Sequence, residues 1–321
     1  MTVTAHDIVD AQARIAGDVV RTPLLAAPWA RGELYLKAES LQPIGAFKIR
    51  GALNAVRRLR PEARARGVVT HSSGNHGQAV AWAARAARVP AVVVMPEAAA
   101  EVKVNATREL GADVIFAPAA RRELVAEEVR ADRGMAMIPP FDHADVIAGQ
   151  GTLALEFLEE LDEIDTVLVP IGGGGLISGV GVAVKQASPG TRVVGVEPEL
   201  AADARDSLAA GRRIPWNVED TSRTIADGTR TPVVGELTFP LIQATVDEIV
   251  TVSEREILAA VSVLARRSRL VVEPSGALGV GAHLSEPGGF GRAVAVVSGG
   301  NIDPALLADA LALPYLEESH P

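Results

Sequence analysis

An apolar run from Thr166 to Ile171 stops on four consecutive glycines, Gly172 to Gly175, and resumes from Leu176 to Val184 without a charged residue. Its length alone would suit a membrane span. Glycine costs roughly 1 kcal/mol and proline roughly 3 inside a helix, so Pro170 and the four glycines rule out one continuous helix. The stretch reads instead as a strand, a turn and a helix. Backbone N–H groups at such a helix start, uncovered by side chains, form a cradle for a phosphate.

The same alternation recurs along the chain. Val68 to Thr70, Ala91 to Met95, Asp113 to Phe116, Arg192 to Val196 and Ala293 to Val297 read as further buried strands. Gln78 to Ala87, Ala99 to Leu110, Arg121 to Ala131 and Gly151 to Leu161 read as helices between them. Strands alternating with helices imply parallel sheets in an α/β fold. Residues 51–145 hold a complete βαβαβ set between Lys48 and Pro139-Pro140, and no flexible linker flanks it. The expected organisation is a small α/β domain, 51–145, inserted in a larger domain made of 1–50 and 146–321.

Composition removes several functions. A net charge of -9 with 3% aromatic residues offers neither the basic surplus nor the stacking rings of a nucleic-acid binder. The absence of cysteine excludes thiolate zinc sites, cysteine nucleophiles and disulfides, which fits a cytoplasmic protein. Asp7, Asp10 and Asp18 near the N-terminus, with no apolar run among them, leave no secretory signal or membrane anchor in view. Only four of the 31 basic residues are lysines: Lys37, Lys48, Lys103 and Lys185. Where arginine is the default cation, a remaining lysine is a candidate for amine chemistry.

Three more turns follow strands. His71-Ser72-Ser73-Gly74-Asn75-His76-Gly77 brings hydroxyl, amide and N–H donors to a helix start, suited to a carboxylate. Glu273-Pro274-Ser275 leads into Gly276, Gly279 and Gly281, and Ser298-Gly299-Gly300-Asn301 follows the strand ending at Val297. Glu197 lies 22 residues after Gly175, where a dinucleotide-binding fold puts its ribose carboxylate, so a nicotinamide oxidoreductase is the rival enzyme. The glycines do not fit G-x-G-x-x-G, because Ile177 takes the third position. The six histidines show no paired metal spacing, and Asp142-His143-Ala144-Asp145 reads as a polar turn. Glu197 with Asp203 could hold a hard cation through oxygen.

Together these pieces resemble the fold-type II pyridoxal phosphate enzymes, whose fold is that of the tryptophan synthase β chain, and within them the threonine dehydratase and serine racemase family. The matching runs are Glu39-Ser40-Leu41-Gln42, Gly45-Ala46-Phe47-Lys48-Ile49-Arg50-Gly51-Ala52, Ser72-Ser73-Gly74-Asn75-His76, Ile147-Ala148-Gly149-Gln150-Gly151-Thr152, the tetraglycine, Thr224-Ile225-Ala226-Asp227-Gly228, Glu273-Pro274-Ser275-Gly276 and Ser298-Gly299-Gly300-Asn301. They keep the family's order over nearly the whole chain.

The resemblance implies that Lys48 holds pyridoxal phosphate as a Schiff base, with Phe47 packed on the ring and Asn75 bonded to the phenolic oxygen. Gly172, Gly173, Gly174, Gly175 and Leu176 would bind the phosphate. Ser298 would face the pyridine nitrogen, where a neutral hydroxyl leaves a weaker electron sink and favours β-elimination. Ser72, Ser73, Asn75 and His76 would receive the carboxylate of a small amino-acid substrate. The implied reaction is dehydration of L-threonine, L-serine or a related hydroxy amino acid to a 2-oxo acid and ammonia.

Ser73, where simple threonine dehydratases carry alanine, resembles the serine racemases and threo-3-hydroxyaspartate dehydratases. Glu197, the Ala201 carbonyl and Asp203 match the racemases' site for a divalent cation (Mg, Ca or Mn). Two departures stand out: Pro139-Pro140-Phe141-Asp142-His143 differs from the dehydratases' His-Pro-Phe-Asp-Asp, and Arg122 matches a functional racemase arginine only across a one-residue gap. A homodimer without the regulatory domain of biosynthetic threonine dehydratases is expected.

Overall fold

The computed structural model describes residues 3–72, 74–99 and 101–313. Among them the strands are β1 (Leu24–Ala26), β2 (Leu34–Ala38), β3 (Val68–His71), β4 (Ala91–Pro96), β5 (Asp113–Ala117), β6 (Ala136–Met137), β7 (Thr166–Pro170), β8 (Arg192–Pro198), β9 (Glu248–Val252) and β10 (Ala293–Val297). They form two sheets, a six-stranded one ordered β1-β2-β10-β7-β8-β9 and a four-stranded one ordered β5-β4-β3-β6. Every pairing is parallel except that of the edge strand β1 with β2.

The six expected strands are all present. β7 and β10 are buried at every position, as parallel strands covered on both faces must be. Four strands escaped the sequence reading: β1, β2, β6 and β9. In β2, Leu34–Ala38, the run is interrupted by Lys37, which a buried strand tolerates only if the charge is paired. β6 has two residues, and β9 begins on an exposed glutamate.

The Thr166–Val184 stretch is strand, turn and helix, the helix spanning Gly175–Ala187. The helix expected from Gly151 begins seven residues earlier and spans Ala144–Glu160. His143 caps it, its Nδ1 accepting from the Asp145 N–H at 3.2 Å. Its internal glycines serve close packing. A Cβ on Gly149 would lie 2.6 Å from the Arg50 carbonyl oxygen, and one on Gly151 would lie 2.7 Å from that of Gly179. The helices Lys48–Arg58, Ala144–Glu160 and Gly175–Ala187 therefore meet backbone to backbone.

A buried ion network anchors that contact. Arg50 donates to Glu39 at 2.8 Å and to Glu156 at 2.6 Å, and Lys37 donates to Glu156 at 2.6 Å. Thr22 closes it, its hydroxyl donating to Glu39 and its carbonyl accepting from Lys37. Burial opposes the Glu39 charge, but Arg50 beside it holds the carboxyl below its ordinary range. This network sits two residues from Lys48.

Candidate active site

A cavity of about 450 Å³ opens between the two sheets. The C-terminal ends of β3, β7 and β10 deliver His71, Pro170 and Ser298 to its wall, the side on which open α/β sheets bind ligands.

Lys48 is the first residue of the Lys48–Arg58 helix. The segment before it is stitched to the turn after β10: Phe47 N–H donates to the Ser298 carbonyl at 3.0 Å, and Gly300 N–H donates to the Gly45 carbonyl at 2.8 Å. Lys48 Nζ donates to the Pro140 carbonyl at 2.7 Å and lies 5.1 Å from the centre of the Phe47 ring. Burial lowers its pKa to about 8, against the partial restoring effect of the Glu273 charge.

The glycine turn lines the same cavity. Gly174 is the N-cap of the following helix, has φ +89° and has no side chain bonding the free N–H groups. Thr238 braces the turn, donating from its hydroxyl to the Gly173 carbonyl at 2.7 Å. A Cβ on Gly173 would sit 2.3 Å from the Phe141 ring. Asp142, next in that segment, accepts from the N–H groups of Glu236, Leu237 and Thr238, so the loop departing from the dehydratase pattern holds the cavity wall in place.

Asn75 and His76 open the helix Asn75–Ala87, whose first N–H groups have no intrahelical partner. Ser72 Oγ accepts from Gly74 N–H at 3.2 Å, and Ser73 lies outside the described residues. Asn75 Nδ2 donates to Glu273 Oε1 at 2.6 Å, and Asn75 Oδ1 accepts from Asn301 at 2.7 Å. His76 Nε2 is 2.9 Å from the Ile138 carbonyl, while its buried Nδ1 has no partner among the described residues. Burial, then the Lys48 charge, pushes the ring down to about 3. His76 is therefore neutral at physiological pH, with its proton on Nε2.

Phe47, Lys48, Ser72, Asn75, His76, Gly172 to Leu176 and Ser298 thus share one cavity. Free N–H groups at a helix start, a poised amine and a neutral hydroxyl fit a phosphate-bearing carbonyl cofactor. The wall also carries Glu273 and Lys103, to which the sequence alone assigns no role. Glu273 is buried, and burial followed by Asp227 pushes its carboxyl up to about 7. Lys103 pairs with Asp227 at 3.0 Å. The scarcity of lysine singled out Lys103; Glu273 was signalled only by its motif.

Glu197, Ala201 and Asp203 lie apart from this wall. Glu197 accepts from the N–H groups of Ala204 and Arg205 at 3.0 and 2.8 Å. Asp203 Oδ2 accepts from Val234 N–H at 2.8 Å, and its buried Oδ1 has no partner among the described residues. Burial raises both carboxyls, Asp203 to about 7, and Asp203 raises Glu197 further.

Comparison with known proteins agrees with this geometry. The L-threo-3-hydroxyaspartate ammonia-lyase of Saccharomyces cerevisiae is 44% identical over 308 residues, 94% of each chain. Maize serine racemase superposes with a TM-score of 0.91 at 39% identity, covering 97% of both chains. A threonine deaminase from T.th. superposes with a TM-score of 0.89 at 44% identity, covering 94% of this chain and 99% of that one. The profile of the family described as "Pyridoxal-phosphate dependent enzyme" matches residues 15–299. With its two parallel-sheet layers, its glycine turn and its poised lysine, this chain belongs to the pyridoxal-phosphate dependent enzymes of fold type II.

Proposed function

We propose that the chain is an ammonia-lyase that converts L-threonine, L-serine or a related 3-hydroxy amino acid to a 2-oxo acid and ammonia by β-elimination. The observation that carries this is Lys48, an amine lowered to about 8 with no ion-pair partner among the described residues, in one cavity with the glycine turn. The relatives named as a hydroxyaspartate ammonia-lyase and a threonine deaminase support it.

Pyridoxal phosphate, when bound, supplies an electron sink for the bonds at the substrate's α-carbon. Gly172 to Gly175 and Leu176 would hold its phosphate through backbone N–H groups, Phe47 would pack on its ring, and Asn75 and Ser298 would meet its phenolic oxygen and ring nitrogen. Lys48 acts as the base that removes the α-proton, because an amine with a pKa near 8 is partly neutral at physiological pH. Ser72, Ser73, Asn75 and His76 form the loop that receives the carboxylate. His76, being neutral, serves through its backbone N–H at the helix start and not as a cation.

The test is borohydride reduction of the yellow holoenzyme followed by peptide mapping. Cofactor mass on the peptide containing Lys48 is expected, and label on another lysine would overturn the reading. Oxo-acid release across threonine, serine and threo-3-hydroxyaspartate then ranks the substrates.

Similarity to serine racemase favours a second activity, with the Ser73 hydroxyl returning a proton to the α-carbon. Wild type should form D-serine from L-serine and Ser73→Ala should not; a wild type that forms none removes this activity. Glu197, the Ala201 carbonyl and Asp203 are proposed to take a divalent cation, supported by the partnerless Asp203 oxygen. Magnesium or manganese should raise the melting temperature of wild type by about 2 °C or more and leave Asp203→Asn unmoved. A homodimer in the cytoplasm, with residues 51–145 as the smaller domain, belongs to the same proposal. Sedimentation, cell fractionation and limited proteolysis test it.

A further inference from the structure

Glu273 is a buried ionisable group in the cavity that the scheme above does not use. It immediately precedes the helix Pro274–Ser285 and is 5% exposed. Its Oε1 accepts from Asn75 Nδ2 at 2.6 Å and lies so close to Gly299 that a Cβ there would be 2.2 Å away. Any side chain at position 299 would evict the carboxylate.

The Asn75 amide is held at both ends. Its oxygen accepts from Asn301 Nδ2 at 2.7 Å, and Asn301 Nδ2 also donates to the Ile44 carbonyl at 2.9 Å, which fixes it as a donor. An ionised carboxylate only accepts, so Glu273 can bind only the nitrogen end of Asn75. One amide hydrogen goes to Glu273, and the second remains for the cavity.

We propose that Glu273 is a positioning residue that acts through Asn75, holding an amide N–H toward the cofactor's phenolic oxygen and supplying a negative charge near the nitrogen of Lys48. The proposal rests on the reading of Lys48 as the attachment site. The charged groups facing Glu273 are Lys48 from the Lys48–Arg58 helix, Lys103 from the Glu101–Glu109 helix and Asp227 from the turn Asp227–Thr229; Asn75 and Asn301 are neutral. Burial and Asp227 push the carboxyl up to about 7, so it is protonated below neutrality and ionised above. Ionisation turns the bond from Asn75 into a charge-assisted one.

The experiment is a pH titration of the holoenzyme's visible absorbance in wild type, Glu273→Gln and Glu273→Ala, with cofactor dissociation constants and thermal melts for each. Wild type should show a spectral step near pH 7. Glu273→Gln should lack the step yet bind cofactor within about threefold of wild type, because an amide oxygen still accepts from Asn75. Glu273→Ala should lack the step and bind cofactor about tenfold more weakly. A merely structural glutamate would shift the melts and leave the spectra alike. A wild type without the step, or a glutamine variant that keeps it, overturns the role; if the alanine variant does not fold, the glutamine variant and wild type still decide. A wild type that takes up no cofactor overturns instead the reading of Lys48.

Discussion

Among the four lysines, Lys48 is the one with no carboxylate partner among the described residues. Lys37 pairs with Glu156 at 2.6 Å, Lys103 with Asp227 at 3.0 Å and Lys185 with Asp247 at 2.7 Å. Lys48 has the Pro140 carbonyl, which accepts from the amine whether or not it is charged. Only the neutral amine attacks a carbonyl. Cofactor uptake by the cofactor-free protein should therefore speed up with pH and level off above about 8. Stopped-flow absorbance checks this, and a rate still climbing beyond pH 10 would mean an unperturbed amine. The rarity of lysine made Lys48 a candidate in the sequence, but its lack of a partner is a fact of the fold.

At the scale of elements, the glycine turn works because three chain segments crowd it. Gly173 faces the Phe141 ring, a Cβ on Gly172 would lie 3.0 Å from the Gly228 carbonyl oxygen, and one on Gly174, which also has φ +89°, would lie 2.8 Å from the Thr238 hydroxyl. Gly173→Ala must push Phe141 away or tilt the turn, and overpacking of this kind costs about 1–3 kcal/mol. We expect cofactor affinity to fall about tenfold or more, read by fluorescence titration, with the fold retained by circular dichroism. Strand, turn and helix were legible here because apolar runs and glycines are local signals. The start of the Ala144–Glu160 helix was not, because glycine is a poor helix former and the place of Gly149 and Gly151 inside it is explained only by the close approach of Gly51 and Gly179. β2 was hidden for the same kind of reason, its Lys37 being acceptable only with Glu156 opposite it.

Across the whole molecule, the buried network of Arg50, Glu39, Lys37 and Glu156 joins the end of β2 to two helices, one of which begins at Lys48. Arg50→Met removes the cation and strands Glu39 beside Thr22 and Gln42, with Lys37 left to Glu156. Breaking a buried pair from one side typically costs about 3–5 kcal/mol. Urea unfolding of the cofactor-free protein should show a loss of that order, and a loss below about 1 kcal/mol would mean that water replaces the arginine. Such partners are distant in sequence: Arg50 and Glu156 are 106 residues apart, and Asn75 and Glu273, both on the cavity wall, are 198 apart.

Periodicity and glycine turns act over a few residues, so the α/β class and the candidate phosphate cradle were legible in the sequence, while composition left Lys48 as one of four lysines and the family resemblance singled it out. Which polar groups satisfy one another inside the protein is different. A buried charge is stable only beside its partner, and the fold chooses that partner from any distance along the chain. The tertiary structure alone decided that Glu273 stands behind Asn75, that His76 is neutral, and that three of the four lysines are already paired.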